Sequence, residues 1–240
     1  MSSGATARRG LFVFLLVAAL ISLATATVQA ACAPHANGTA MWNAIESHCF
    51  DHRDANSPAD CVVADEKIVI ARDSYKPKAF LVVARDDIAG IETESIRDNG
   101  APNFWLAGWN NRKLVGEDWT VGLAINSECR RSQDRLHIHL DRLCPDVADE
   151  LGKLNAGVRQ YSGAALKPYH IAPIKVNELA RANIFAMVKA LTGSIPVADQ
   201  SIALVAAKDD PGMAYVLYGS QGEGSGHAED LFSYGGKCGG

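Results

Sequence analysis

The period of apolar and polar positions changes several times along the chain. Between Thr39 and Cys49 the side chains Met41, Trp42, Ile45 and Cys49 recur at helical spacing behind Asn37, Gly38 and Thr39, which predicts a short capped helix. A polar loop over 51–60 leads to two runs rich in β-branched residues, Cys61 to Ala71 and Ala79 to Ala84. These read as an antiparallel strand pair turned at Pro77. Trp105, Leu106, Trp109 and Leu114 predict a helix over Phe104 to Val115. Val121 to Asn126 and Leu136 to Leu140 are two further strands, joined by the charged segment 127–135.

Beyond Pro145, a helical stretch from Val147 to Leu154 enters a loop that runs through residue 173. Val176 to Leu191 carries the clearest amphipathic period in the chain. Ser201–Ala207 and Met213–Gly219 flank Lys-Asp-Asp-Pro-Gly, a hairpin signal, and a helix-like piece spans His227 to Tyr234 in a glycine-rich tail. There is no repeat and no long linker. The pattern predicts a single α+β domain over 31–240, with a core at about 40–150 and a C-terminal helix/hairpin elaboration over about 151–240.

The segment ahead of this domain has a different character. Arg8 and Arg9 precede an uncharged apolar run from Leu11 to Val28, and Val28-Gln29-Ala30 places small residues where a signal peptidase reads. Residues 1–30 are expected to be a signal peptide or, if uncleaved, an N-terminal membrane anchor. The rest of the chain is then exported, to the periplasm or the outer side of the inner membrane. Six cysteines, an even number and all beyond the run, agree with an oxidising compartment. The expected bridges are Cys49–Cys61 across the polar loop, Cys129–Cys144 bracketing a hairpin, and Cys32–Cys238 by elimination.

Composition narrows the function. The 48% hydrophobic content is that of a globular protein, and the formal charge of −4 argues against a nucleic-acid backbone binder. There is no CxxC, Walker loop, HExxH, GxSxG or paired HxT/HxS. The informative segment is Leu136-His137-Ile138-His139-Leu140-Asp141. On a strand, His137, His139 and Asp141 share one face and the aliphatic residues share the other. Three titratable groups on an apolar backing suit either catalysis or half of a metal site. Other candidates are weaker: His35, His48 and His52 are expected to be solvated, Tyr169, His170 and His227 to lie in loops, with a surface role favoured over lining the site, and Trp105 and Trp109 to be helix core.

Asn126, Gln133 and His137-Ile-His139-Leu-Asp141, in that order and spacing, resemble the signature of the histidine-triad superfamily, with Asp141 in place of the third histidine. Phe80 to Ile88 resembles the preceding core strand of that superfamily. The helix before Cys49, the Cys49/Cys61 pair, Pro102-Asn-Phe-Trp105 ahead of Trp109, Leu123 to Ser127, and Cys144-Pro-Asp-Val147 resemble bacterial CDP-diacylglycerol pyrophosphatases, a family in which the third triad position is also not histidine.

The resemblance implies a histidine-triad-like antiparallel sheet with flanking helices and hydrolysis of CDP-diacylglycerol to CMP and phosphatidate at a membrane surface, without cofactor or essential metal. By resemblance, His139 is the nucleophile, His137 orients it, and Asn126 and Gln133 donate amide hydrogen bonds to phosphate. Asp141, also at the substrate, needs compensation from Arg130, Arg131, Arg135 or Arg142, or partial protonation. A leaving phosphate departs with little acid help, which makes the loss of the third histidine tolerable. The alternatives are a hydrolase of soluble nucleotides such as CDP-alcohols or dinucleoside polyphosphates, and a non-enzymatic exported module binding nucleotide or metal through His137 and His139.

Overall fold

The computed structural model describes residues 32, 35–51, 61–116, 119–154, 166–233 and 238. The leader expected over residues 1–30 lies outside them, as does His52. Among the described residues no helix is long and apolar enough to cross a membrane. The elements, in chain order, are α1 (Ala40–Glu46), β1 (Cys61–Ala64), β2 (Ile68–Arg72), β3 (Phe80–Ala84), α2 (Phe104–Asn110), β4 (Val121–Ile125), β5 (His137–Arg142), α3 (Pro145–Leu151), β6 (His170–Lys175), α4 (Ile184–Thr192), β7 (Gln200–Ala206) and β8 (Met213–Ser220). The strands form one sheet in the order β1-β2-β3-β5-β4-β7-β8-β6, with every pairing antiparallel. The α+β class is as the sequence predicts. The C-terminal third does not stand apart: β7 pairs with β4 and so continues the central sheet.

Three expectations are corrected. The run from Cys61 to Ala71 is two strands, because the Asp65 carboxylate accepts the N–H groups of Lys67 at 2.7 Å and Ile68 at 2.6 Å and turns the chain into a hairpin. The loop expected through residue 173 contains β6, an edge strand; Pro173 is tolerated there because its missing N–H costs no inner ladder bond. The long helix expected from Val176 begins only at Ile184. The Asn103 side chain takes the carbonyls of Leu179 and Ala182, and the Asn183 side chain caps Ala186, so the backbone groups of a continuous helix are already spent.

One face of the sheet is apolar across its centre. Ile70, Val82, Ile138, Leu140, Leu123 and Leu204 lie on it beneath α2 and α4, whose Phe104, Trp105, Trp109, Ile184 and Phe185 are buried against them. Trp105 and Trp109 are thus core, as expected. The other face carries two separate apolar patches. Val69, Leu81 and Val83 pack under α1, whereas Ala124, Ala203, Val205 and Leu217 pack under α3 and the C-terminal segment. Between these patches runs β5, whose register sets His139 opposite Leu81 and Ala124.

The disulfides are Cys49–Cys61, as expected, and Cys144–Cys238. Cys32 and Cys129 are likewise disulfide-bonded. The expected Cys129–Cys144 and Cys32–Cys238 pairs are therefore corrected. Cys129 lies in the turn before β5 and Cys144 beyond its far end. A six-residue strand spans roughly 20 Å, far more than a disulfide bridges.

Candidate active site

The site is built on β5 and closed by two loops. His137 and His139 alternate with Ile138 and Leu140, so the same pleat that buries the aliphatic side chains beneath α2 turns both imidazoles to the opposite face. They line a cavity of about 280 Å³ together with Asn126, Gln133, Lys76 and Glu229. The His137 Nδ1–H donates to the Arg135 carbonyl at 2.7 Å, which leaves Nε2 unprotonated in the neutral ring. The two rings meet edge to face with centroids 5.0 Å apart.

Lys76 comes from the turn between β2 and β3. That turn is held by the Asp73 carboxylate, which accepts the Tyr75 N–H at 2.8 Å, and by backbone bonds between Asp73, Lys76 and Ala79. Glu229 comes from the C-terminal segment. Backbone bonds fasten this segment to the central strands: Ser127 N–H to Gly226, Cys144 N–H to Leu231, and Ser233 N–H to Arg142. Phe232 is buried over the sheet at Gly122, where a Cβ would lie 3.0 Å from its ring and 2.9 Å from Val205. The absence of a side chain at residue 122 lets the segment approach closely enough to deliver Glu229.

Glu229 joins the parts. Its carboxylate is ion-paired with Lys76, accepts from Asn126 Nδ2 at 2.9 Å and lies 3.1 Å from His139 Nε2, while its N–H donates to Asn126 Oδ1 at 3.0 Å. His227 Nε2 is 3.6 Å from the same carboxylate. The His139 approach lacks hydrogen-bond alignment, and Nε2 is a buried nitrogen with no hydrogen-bond partner. Burial pushes the His139 imidazole down to about 3, outweighing the pull of Glu229; burial likewise lowers His137. Both rings are neutral at pH 7. Burial alone would raise Glu229, but attraction to His139 when that ring is protonated, the charge of Lys76 and the bonds from Lys76 and Asn126 hold it well below the usual carboxylate range. With His139 neutral, Lys76 and Asn126 are what keep it ionised.

The expected residues divide between two places. His137, His139, Asn126 and Gln133 share the cavity, where Gln133 Oε1 accepts the Met41 N–H at 2.8 Å. Asp141 does not join them and lines a neighbouring cavity. Burial raises its carboxyl, against the Arg142 N–H that donates to it at 2.7 Å and the charge of Lys76, which is the cation that lowers it. Arg131 and Arg135 are instead engaged with Glu92 and with the Arg85 and Asp86 carbonyls. Sequence reasoning missed Lys76 and Glu229; it put His227 in a loop and favoured a surface role over the site lining that the structure gives it. No local motif marks Lys76 or Glu229 as partners. His35 and His48 lie away from the site, bonded to Asp134 and to the Ala44 carbonyl. Tyr169 is buried, and His170 stacks on Tyr218. Among the described residues no group of three or more His, Cys, Asp or Glu is arranged to hold a metal ion.

This geometry coincides with a family relationship. A family model for CDP-diacylglycerol pyrophosphatase matches residues 36–235. The chain is 29% identical over 134 residues to the CDP-diacylglycerol pyrophosphatase of Yersinia pestis, a match covering 52% of each chain. It is 27% identical over 157 residues to the corresponding protein of Mycobacterium bovis (61% of this chain, 60% of that one). It is also 28% identical over 128 residues to a probable CDP-diacylglycerol pyrophosphatase of Mycobacterium leprae (48% and 47%). The matches span about half to three-fifths of those relatives' lengths.

Proposed function

This chain belongs to the CDP-diacylglycerol pyrophosphatase family, and on that premise we propose that it hydrolyses the pyrophosphate bond of CDP-diacylglycerol to CMP and phosphatidate, with His139 as nucleophile. The observation that carries this reading is the buried His139 Nε2, neutral and without a hydrogen-bond partner, beside Lys76 and the Asn126 amide. An imidazole nitrogen attacks only through its lone pair, so a ring that stays neutral is the reactive form.

In the first step Nε2 bonds to the phosphorus bearing cytidine, and the bond from that phosphorus to the bridging oxygen breaks. The electron pair departs on phosphatidate. In the second, water attacks the same phosphorus, the N–P bond breaks, CMP leaves and a proton passes to solvent. The ring is cationic between the two steps, and the Glu229 carboxylate 3.1 Å away offsets that charge. Lys76 and the amides of Asn126 and Gln133 face the phosphoryl oxygens. His137, fixed by its bond to the Arg135 carbonyl, holds the neighbouring ring edge.

Export to the periplasm or the outer side of the inner membrane is part of the proposal; it is supported by the oxidised cysteines and by the apolar run of the leader. Release of CMP from CDP-diacylglycerol by purified protein, with acid-labile cytidylyl label trapped on His139 by rapid quench, is the expected result. Equal kcat/KM for dinucleoside polyphosphates would favour the soluble-nucleotide alternative. Loss of binding with chelator, and no turnover, would favour the metal-binding module.

A further inference from the structure

A second cavity, of about 850 Å³, shares Tyr75 and Lys76 with the first. Successive same-face residues of β5 divide between the two: His139 faces the first and Asp141 the second, about 7 Å further along the strand. Arg72, Lys76, Lys78 and Arg142 line the second cavity together with Asp141. Leu114 and Val115 supply apolar wall. The Arg142 guanidinium lies against Gly116, where a Cβ would be 2.2 Å from Nη2, and donates to Thr120 Oγ1 at 3.2 Å. The Arg72 guanidinium donates to the Pro77 carbonyl and stacks over Phe80. The two guanidiniums are thus held on defined supports around a space larger than the histidine cavity.

We propose that this second cavity is the leaving-group subsite, taking the phosphate and glycerol end of a phosphatidyl group while Lys76, on the shared wall, spans the two phosphates. The inference rests on the pyrophosphatase reading above and adds where the lipid half sits. A leaving phosphate monoester carries between one and two negative charges near neutrality, and the side chains of Arg72, Lys78 and Arg142, with Lys76 on the shared wall, offer it charge-assisted donors. The histidine cavity, with Lys76 and Arg130 beside Asp73, Asn126, Ser132, Gln133 and Glu229, has the mixed donors and acceptors suited to a nucleotide. Leu114 and Val115 offer the first carbons of the acyl chains an apolar contact. Both cavities are lined by Tyr75, which is 82% exposed.

The test uses Lys78→Gln/Arg142→Gln in the full chain. Binding of dioctanoyl phosphatidate and of CMP is measured by calorimetry, and kcat/KM is compared for CDP-diacylglycerol and the p-nitrophenyl ester of CMP, whose leaving group has no phosphate. We expect phosphatidate binding to weaken about tenfold, as for loss of charge-assisted contacts, with CMP binding unmoved. The ratio of the two kcat/KM values should fall by a similar factor. Equal weakening of phosphatidate and CMP, or no change in either, overturns the subsite. Wild-type protein inert on both esters while binding phosphatidate through Lys78 and Arg142 would overturn the pyrophosphatase reading and leave the subsite standing.

Discussion

Glu229 Oε2 lies 3.1 Å from His139 Nε2, and the same carboxylate is ion-paired with Lys76. The central strand of the sheet, the β2–β3 turn and the C-terminal segment therefore meet at one charge. His139→Ala is expected to abolish turnover, a loss well beyond the roughly 10²–10³-fold for removal of a single phosphate-contacting donor. His137→Ala, Asn126→Ala and Gln133→Ala should fall within that smaller range. Pre-steady-state release of CMP measures each. Near-normal turnover by His139→Ala would exclude it as nucleophile.

The Lys76–Glu229 pair is buried, with side-chain exposures of 7% and 11%. Removing Lys76 leaves the Glu229 charge, and the Asp73 carboxylate 4.0 Å from Lys76, without their cation, at a cost of about 3–5 kcal/mol. Lys76→Met alone should therefore destabilise strongly, and Lys76→Met/Glu229→Gln should recover much of the loss. Urea unfolding of the two single variants and the double variant reads the coupling directly.

Acid should act on activity and stability in different windows. His139 is held near 3 by burial, so the acid limb of kcat/KM that it controls should lie well below the usual histidine value of about 6.5. For stability, the folded-state value is below the unfolded one, so the unfolded chain takes up the proton first. The contribution is complete above about pH 6.5 and is lost progressively as pH falls toward 3. Glu229, also depressed, adds loss of the same sign below its unfolded value. Chemical denaturation from pH 7 to pH 4 should show stability falling before activity that is limited by His139 does.

Asp141 behaves oppositely. Burial raises its carboxyl, so its ionisation opposes folding at neutral pH. Asp141→Asn should retain substantial CDP-diacylglycerol turnover and raise the unfolding midpoint at pH 7, with the gain shrinking as the pH is lowered. A loss of activity comparable to that of His139→Ala would give Asp141 a direct part in the chemistry.

The Cys144–Cys238 bridge closes a sequence separation of 94 residues, against 12 for Cys49–Cys61. Chain-entropy arguments assign the longer loop about 4–5 kcal/mol and the shorter about 3. Cys144→Ser/Cys238→Ser should lower the melting temperature more than Cys49→Ser/Cys61→Ser, and should lower activity as well, because the bridge anchors the segment that delivers Glu229. Peptide mapping of oxidised protein should recover Cys144 linked to Cys238.

Local sequence was enough wherever period and chemistry coincide. The His137-Ile-His139-Leu alternation determines which side chains are core and which face the cavity, because a strand has a fixed period of two. Lys-Asp-Asp-Pro-Gly determines the β7–β8 hairpin in the same local way. Tertiary structure decided the rest. The helical period from Val176 loses its first turns to the side chain of Asn103, and Pro173 is admitted to a strand only because β6 lies at the sheet edge. Cys144 takes Cys238 because β5 holds Cys129 at its far end. Lys76 and Glu229 become partners only when a turn and a distant tail are packed on the same face, and no spacing along a chain records a contact of that separation. Residue order determined the two histidines and the strand that aims them, whereas the charge beside them and the second cavity exist only once the sheet has closed its neighbours around β5.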